Sequence, residues 1–212
     1  MRYWTECREF FRQFRERYDT TGSVLPSSRA LARALTRPMR ELAGPRRVIE
    51  VGPGTGAVTR HICSSLHPSD RVDLCELNAA FVDVLHRRLA EERPFCDVAS
   101  CVSVHHRPIE ALPIDAPYDH IVSGLPLNNF EVGEVEHILA LFSRLLKPNG
   151  TLSFFEYIGI RKLRAVVSNR PGRRRLQGIT SALDNILRPG EFRRDHVWRN
   201  VPPAYVHHVR LG

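Results

Sequence analysis

The nine residues Val48-Ile49-Glu50-Val51-Gly52-Pro53-Gly54-Thr55-Gly56 carry an apolar run, with Glu50 near its end, into three closely spaced glycines. Such a run bounded by glycine reads as a strand passing into a turn. Glycine at 52, 54 and 56 permits positive φ and omits the Cβ that would hold a ligand away from the backbone. Residues 56–66 then read as the following helix. The next apolar run, Arg71-Val72-Asp73-Leu74-Cys75, ends at Glu76. An acidic residue about 20 residues beyond such a loop is placed to take both ribose hydroxyls of a nucleoside cofactor.

The glycines alone leave the cofactor open, because Gly52, Gly54 and Ala57 also satisfy the relaxed dinucleotide pattern G-x-G-x-x-[GA]. Glu50 discriminates. A carboxylate at the mouth of a dinucleotide turn would repel the pyrophosphate, whereas S-adenosylmethionine presents a cationic sulfonium and a free amino group. Acid at both strand ends therefore predicts S-adenosylmethionine, with NAD and a plain structural glycine turn as the alternatives.

A chain of 212 residues supports one well-buried core and leaves no room for the second substrate domain a nicotinamide dehydrogenase usually needs. Its five cysteines, Cys7, Cys63, Cys75, Cys96 and Cys101, are odd in number and show no C-x-x-C spacing, which predicts a reduced, cytosolic setting. The histidine pairs His105-His106 and His207-His208 point to opposite faces of a strand, so no metal is expected. Apolar runs fall short of the roughly 20 residues a membrane span needs, and the first residues are not signal-like; the expectation is a chain neither inserted nor exported. A net charge of +8 favours an anionic partner, either nucleic acid or an acidic membrane surface.

Working outward, Tyr3, Cys7, Phe10, Phe11, Phe14 and Tyr18 recur at spacings of three and four, with arginines and glutamates between them. This predicts an amphipathic helix with an aromatic face, suited to docking on the core or lying in a membrane interface. A second helix is predicted over 29–42, ended by Gly44-Pro45. Residues 1–44 thus read as a helical cap or membrane-interaction segment, and 45–212 as the main domain. There, strands at 47–51, 71–75, 101–105, 118–123, 150–157, 193–199 and 204–210 alternate with helices near 56–66, 78–91, 133–146 and 176–188. Regular alternation predicts an α/β fold, a mostly parallel seven-stranded sheet covered on both faces. The last two strands, separated by Asn200-Val201-Pro202-Pro203, should form an antiparallel hairpin at its edge.

Ligands of open α/β sheets collect beyond the carboxyl ends of the strands at the switch point. That gathers the loop after Glu50, Glu76, the turn Arg107-Pro108-Ile109-Glu110, and Ser123-Gly124-Leu125-Pro126-Leu127-Asn128-Asn129-Phe130 around one pocket. The Gly-Leu-Pro stretch would fix backbone carbonyls near a transferring methyl group.

With these pieces in place the chain resembles the class I S-adenosylmethionine-dependent methyltransferases, with their Rossmann-like fold. More narrowly it looks like bacterial phospholipid N-methyltransferases, which convert phosphatidylethanolamine to phosphatidylcholine, and related ornithine-lipid enzymes. The glycine loop marks the superfamily only. Thr21-Gly22-Ser23-Val24-Leu25-Pro26-Ser27-Ser28, Gly124-Leu125-Pro126-Leu127 and Asn200-Val201-Pro202-Pro203-Ala204 point to the lipid branch. The resemblance implies cofactor binding by Glu50, Gly52, Gly54 and Glu76, joined by Thr55, Gly56, Leu77, Ile109, Gly124 and Leu125. It also implies an aminolipid substrate on an anionic membrane surface, and a cytoplasmic enzyme peripherally held at the inner face of the membrane. Where many methyltransferases carry Gly-Asp-Ala at the third strand's end, this chain has His106-Arg107-Pro108, leaving the adenine contact to Ile109, Glu110 or a backbone group.

Methyl transfer to nitrogen needs a neutral amine, while an alkylammonium of pKa about 10.4 is mostly protonated at neutral pH. Desolvation and a nearby acceptor would favour loss of the proton; Asn128 (or Asn129), Tyr18 and Tyr157 are the candidates. Tyr18, Phe130, Tyr157 and Trp198 are candidate faces for a quaternary product. Arg161, Lys162, Arg164, Arg170, Arg173, Arg174 and Arg175 are candidates for lipid phosphate. The competing readings are an rRNA adenine N6-dimethyltransferase-like enzyme, which usually places an aromatic residue where this chain has Leu127, and a non-catalytic protein of the same fold.

Overall fold

The computed structural model describes residues 27–112, 116–158 and 170–211. The proposed N-terminal helix with Tyr18, and Arg161, Lys162 and Arg164, lie outside the described residues.

Seven strands, β1 (Arg47–Val51), β2 (Arg71–Glu76), β3 (Val102–His106), β4 (Tyr118–Ser123), β5 (Leu146–Tyr157), β6 (Glu191–Val197) and β7 (Ala204–Arg210), form one sheet in the order β3-β2-β1-β4-β5-β7-β6. Strands β1 to β5 run parallel. β7 lies antiparallel to both β5 and β6, so it inserts between them and leaves β6 at the edge, pointing the same way as β5. The expected sheet and closing hairpin are both present. The chain leaves β1 toward β2 and β3, then returns to β4 on the other side of β1, which sets the switch point between β1 and β4.

Both faces are covered, which is why the central strands read as nearly continuous apolar runs. On one face, Ile49, Ile121, Leu152 and Phe154 pack with α5 (Val132–Leu145) and with Ile179 and Leu183 of α6 (Arg170–Gly190). α5 has Val135, Ile138, Leu139, Phe142 and Leu145 buried along one stripe, and it starts at a capping box in which the Glu131 N–H donates to Glu134 Oε2 at 2.7 Å. On the other face, Val48, Val72, Leu74 and Val206 pack with Leu31, Leu35 and Met39. Residues 27–44 thus share the main core.

Three helices differ from expectation. The one predicted over 29–42 is two, α1 (Arg29–Leu35) and α2 (Arg37–Glu41). Pro38 has no N–H to give and its ring would strike the carbonyl of residue 34, so the chain turns at Thr36 and restarts. The one predicted over 56–66 is only α3 (Thr59–Cys63), since the left-handed Gly56 at φ 85° holds the preceding residues in turns. The helix predicted at 176–188 is longer, α6 beginning at Arg170. The 78–91 prediction is met by α4 (Ala79–Glu91), whose N-cap Asn78 accepts from Ala80 N–H at 3.0 Å.

Candidate active site

At the carboxyl end of β1 the backbone ties itself to both neighbours. Gly52 N–H donates to the Cys75 carbonyl at 3.0 Å, and Gly124 N–H to the Val51 carbonyl at 2.9 Å. Gly52, Gly54 and Gly56 all have positive φ, at 73°, 57° and 85°. A Cβ on Gly52 would meet Leu125 Cδ2 at 3.0 Å and one on Gly56 would meet Leu85 at 3.1 Å, so these two glycines serve packing as well as turn geometry. A Cβ on Gly54 would meet nothing within 4 Å. Gly54 is thus the glycine that keeps open a space beside the backbone, and Thr55 next to it is exposed.

One carboxylate, Glu76, binds the loop at Gly54, and a second, Glu50, lies buried against Thr59. Glu76 Oε2 accepts the Gly54 N–H at 2.9 Å, while Oε1 accepts from Leu77 N–H at 2.8 Å and Asn78 N–H at 2.9 Å. Each carboxylate oxygen has two lone pairs, so Oε2 keeps one for a hydroxyl donor. Glu50 is 1% exposed, and its Oε2 accepts the Thr59 hydroxyl at 2.7 Å. Burial, with a smaller contribution from the Glu76 charge, pushes the Glu50 carboxyl up to about 8 against the Thr59 hydrogen bond. A buried carboxyl near a second carboxylate is a site that a cation would stabilise. An open glycine cradle with Glu76 on the loop and a second, buried carboxyl close enough to feel its charge fits the cationic S-adenosylmethionine and its ribose, and fits a pyrophosphate poorly.

The third-strand contact is shaped by its own ties. His106 Nε2 lies 3.2 Å from the Leu77 carbonyl, and Cys75 Sγ is 3.0 Å from the Arg107 carbonyl, joining the loops after β2 and β3. Ile109 is 6% exposed, so its side chain is mostly turned into the core beside this loop.

After β4, Leu125 N–H meets Ser123 Oγ at 3.3 Å and the chain passes through a 3-10 turn, Leu127–Asn129. Among the described residues, Asn128 Oδ1 is buried with no hydrogen-bond partner. Arg175 of α6 donates to the Phe130 carbonyl at 2.7 Å and the Asn128 carbonyl at 3.5 Å, and lies 3.8 Å from Glu131. Its guanidinium is engaged in holding this loop, which separates it from Arg173 and Arg174, its exposed neighbours in the helix and its companions in the expected phosphate-binding set.

Two candidate aromatic faces are placed otherwise than expected. Phe130 is 1% exposed, because it enters the core ahead of α5. Trp198 is 66% exposed at the end of the edge strand β6. Tyr157 ends β5 half-buried, edge-on to Phe155 at 5.2 Å, and burial pushes its phenol up. At neutral pH it can share a hydrogen bond but does not take a proton outright. Sequence reasoning missed Thr59, nine residues from Glu50, for which no local signal exists. It also missed Asn78, whose cap position before Ala79 is legible.

A family model described as a methyltransferase domain matches residues 48–150, from β1 through the start of β5, and so spans every loop of the cradle. An ornithine lipid N-methyltransferase of Singulisphaera acidiphila is 29% identical over 144 residues, 68% of this chain and 74% of that protein. A second relative is a ubiquinone/menaquinone biosynthesis C-methyltransferase of Ectopseudomonas mendocina, 32% identical over 153 residues, 70% of this chain but only 57% of that protein. Among solved structures, an O-methyltransferase from Bacillus cereus in complex with SAH shares the fold with a TM-score of 0.65 at 14% identity, covering 95% of this chain and 90% of that one. The family match, these relatives and the shared fold together support a class I S-adenosylmethionine-dependent methyltransferase. In this methyltransferase the Gly52–Gly56 loop, Glu50 and Glu76 are the parts whose geometry fits the cofactor of the class.

Proposed function

We propose that this methyltransferase acts on nitrogen, moving a methyl group to the headgroup amine of a membrane aminolipid of the phosphatidylethanolamine or ornithine-lipid type. Asn128 carries the reading. A buried amide oxygen with no partner among the described residues, in the loop after β4, is an acceptor suited to an N–H donor. It is neutral, so it can orient an amine without holding it as an ammonium.

S-adenosylmethionine, when bound, supplies an electrophilic methyl group on a sulfonium that departs as a thioether. The chain's residues have three tasks. Glu50 and the glycine loop hold the donor's methionine end, and Glu76 its ribose. The carbonyl-rich segment Gly124–Asn128, anchored by Arg175, aligns the amine nitrogen with the methyl carbon; such alignment supplies most of the acceleration open to an enzyme that forms no covalent intermediate. Asn128 Oδ1 accepts an N–H, leaving the nitrogen lone pair free to attack, and the surplus proton passes to water. The similarity to an ornithine lipid N-methyltransferase over 74% of that protein supports the same acceptor class.

C-methylation of a quinol precursor is the second reading, supported by the 32% identical relative. RNA fits less well: Leu127 is 2% exposed and Phe130 is 1% exposed, so neither offers a face to an extruded base. Replacing Asn128 by Leu tests the reading. On phosphatidylethanolamine or ornithine-lipid micelles it should lower kcat about 10- to 100-fold, the cost of one lost orienting hydrogen bond, with cofactor affinity unchanged. Unchanged kcat on a lipid amine would contradict it.

A further inference from the structure

The end of the sheet that holds the cofactor cradle also carries an apolar tip. Val51 pairs with Ser123 and Ser123 with Phe154, which sets the level of the cradle. Tyr157, three residues later, pairs with Ala204, which pairs in turn with Val197. The β6–β7 turn therefore stands about 10 Å further out than the ends of β1 and β4. At that tip Trp198 is 66% exposed and Val201 is 70% exposed. The turn is firmly seated: Ser28 N–H donates to Asn200 Oδ1 at 3.1 Å, Asn200 Nδ2 to the Pro202 carbonyl at 2.7 Å, and Ile158 N–H to the Pro203 carbonyl at 2.8 Å.

Beside the tip, a cleft of about 650 Å³ separates α1 from β6, lined by Arg29, Arg33, Arg37, Asp195, His196 and Trp198. Asp195 neutralises Arg37 at 2.8 Å. Arg29, Arg33 and Arg199 are exposed, and no ion pair holds them among the described residues. Burial, then the charges of Arg40, Arg33, Arg29 and Arg60, hold the nearby His61 imidazole below its usual value, which marks a positive potential over this face.

An exposed indole beside a valine, fixed on a rigid turn and ringed by exposed arginines, matches the layer where bilayer headgroups meet acyl chains. We infer that the β6–β7 turn and the adjoining face of α1 are the surface by which the enzyme sits on an anionic bilayer. Trp198 and Val201 enter the interfacial layer while Arg29, Arg33 and Arg199 meet lipid phosphates. The inference rests on the lipid reading above and turns the cradle's end of the sheet toward the membrane.

The chain has two tryptophans, so Trp4→Phe leaves Trp198 as the sole reporter. Mixed with phosphatidylglycerol–phosphatidylcholine vesicles, this full-length variant should show blue-shifted Trp198 emission, quenched by brominated acyl chains and reversed by salt. The triple variant R29Q/R33Q/R199Q should bind these vesicles at least about tenfold more weakly, and W198A/V201S should lose binding while still binding S-adenosylmethionine. Emission that stays at its water-exposed position while the protein sediments with vesicles would overturn the inference, as would absence of any vesicle binding. Methylation of aminolipid micelles with Trp198 still in water sinks this inference alone. Insertion of Trp198 without methylation of any aminolipid upholds the surface and sinks the lipid reading.

Discussion

Gly124 and Gly52 meet backbone to backbone across the switch point: a Cβ at residue 124 would stand 2.5 Å from the Gly52 carbonyl oxygen. The loop after β4 and the glycine loop after β1 are therefore packed directly against each other at this point, so a side chain added on one displaces the other. Gly54, two residues on, has open space where Gly124 has none.

This contrast predicts two different failures. Gly124→Ala must push the loops apart, costing about 1–3 kcal/mol of stability and weakening cofactor binding with it. Gly54→Ala adds about 1–2 kcal/mol of left-handed strain and puts a methyl group into the cofactor's space, so binding should fall far more than stability. Thermal melts beside isothermal titration with S-adenosylmethionine check both. Full-strength binding by Gly54→Ala would place the cofactor elsewhere.

Glu50 should make cofactor binding release a proton. Its carboxyl titrates at about 8 in the fold against 4.5 unpaired. A group raised in this way contributes stability that is fully present below its unfolded value and lost as pH rises through 8. A bound cation favours the carboxylate, so below pH 8 the proton leaves as the cofactor enters, and affinity should climb by up to about tenfold per pH unit. Titration in two buffers of different ionisation enthalpy measures the release directly. Glu50→Gln should abolish it and flatten the pH dependence; a buffer-independent enthalpy in the native protein would refute the assignment.

Asp70 should be a stability residue with no part in the chemistry. It is fully buried and takes the Arg46 guanidinium through Nε at 3.2 Å, the Arg46 N–H at 2.8 Å and the His67 N–H at 2.7 Å. Arg46 also donates to the Met39 and Ser65 carbonyls, joining α2, the loop after α3 and the start of β1. Burial alone would raise the Asp70 carboxyl, but these hydrogen bonds hold it below its ordinary value. Its contribution is then present above the unfolded value and lost as pH falls through the folded one. Asp70→Asn should cost about 3–5 kcal/mol at neutral pH by leaving Arg46 buried and unpaired, and should make acid unfolding less steep. Denaturant unfolding at pH 7 and pH 4 checks both parts.

The parts of the fold legible in the sequence are those with a local cause. Apolar runs ending at Gly52, Glu76 and Ser123 locate the strands that build the cradle, and Asn200-Val201-Pro202-Pro203 locates the closing hairpin. Pro38 is equally local, yet the longer periodicity around it predicts one helix across 29–42. Contact between distant segments leaves no such mark. Thr59 on Glu50, Arg175 on the Phe130 carbonyl and Gly124 on Gly52 arise only when the sheet assembles. The same holds for exposure: an aromatic residue close to a turn reads alike whether it enters the core, as Phe130 does, or stands in water, as Trp198 does.

The most direct test of the central claim is the identity of the methylated product. The full-length protein, given S-adenosylmethionine labelled in its methyl group, should be offered phosphatidylethanolamine, ornithine lipid, a demethylated quinol and ribosomal RNA in parallel. Label on the headgroup nitrogen of a lipid is the predicted result. Label on quinol carbon or in RNA, with none in either lipid, would contradict it.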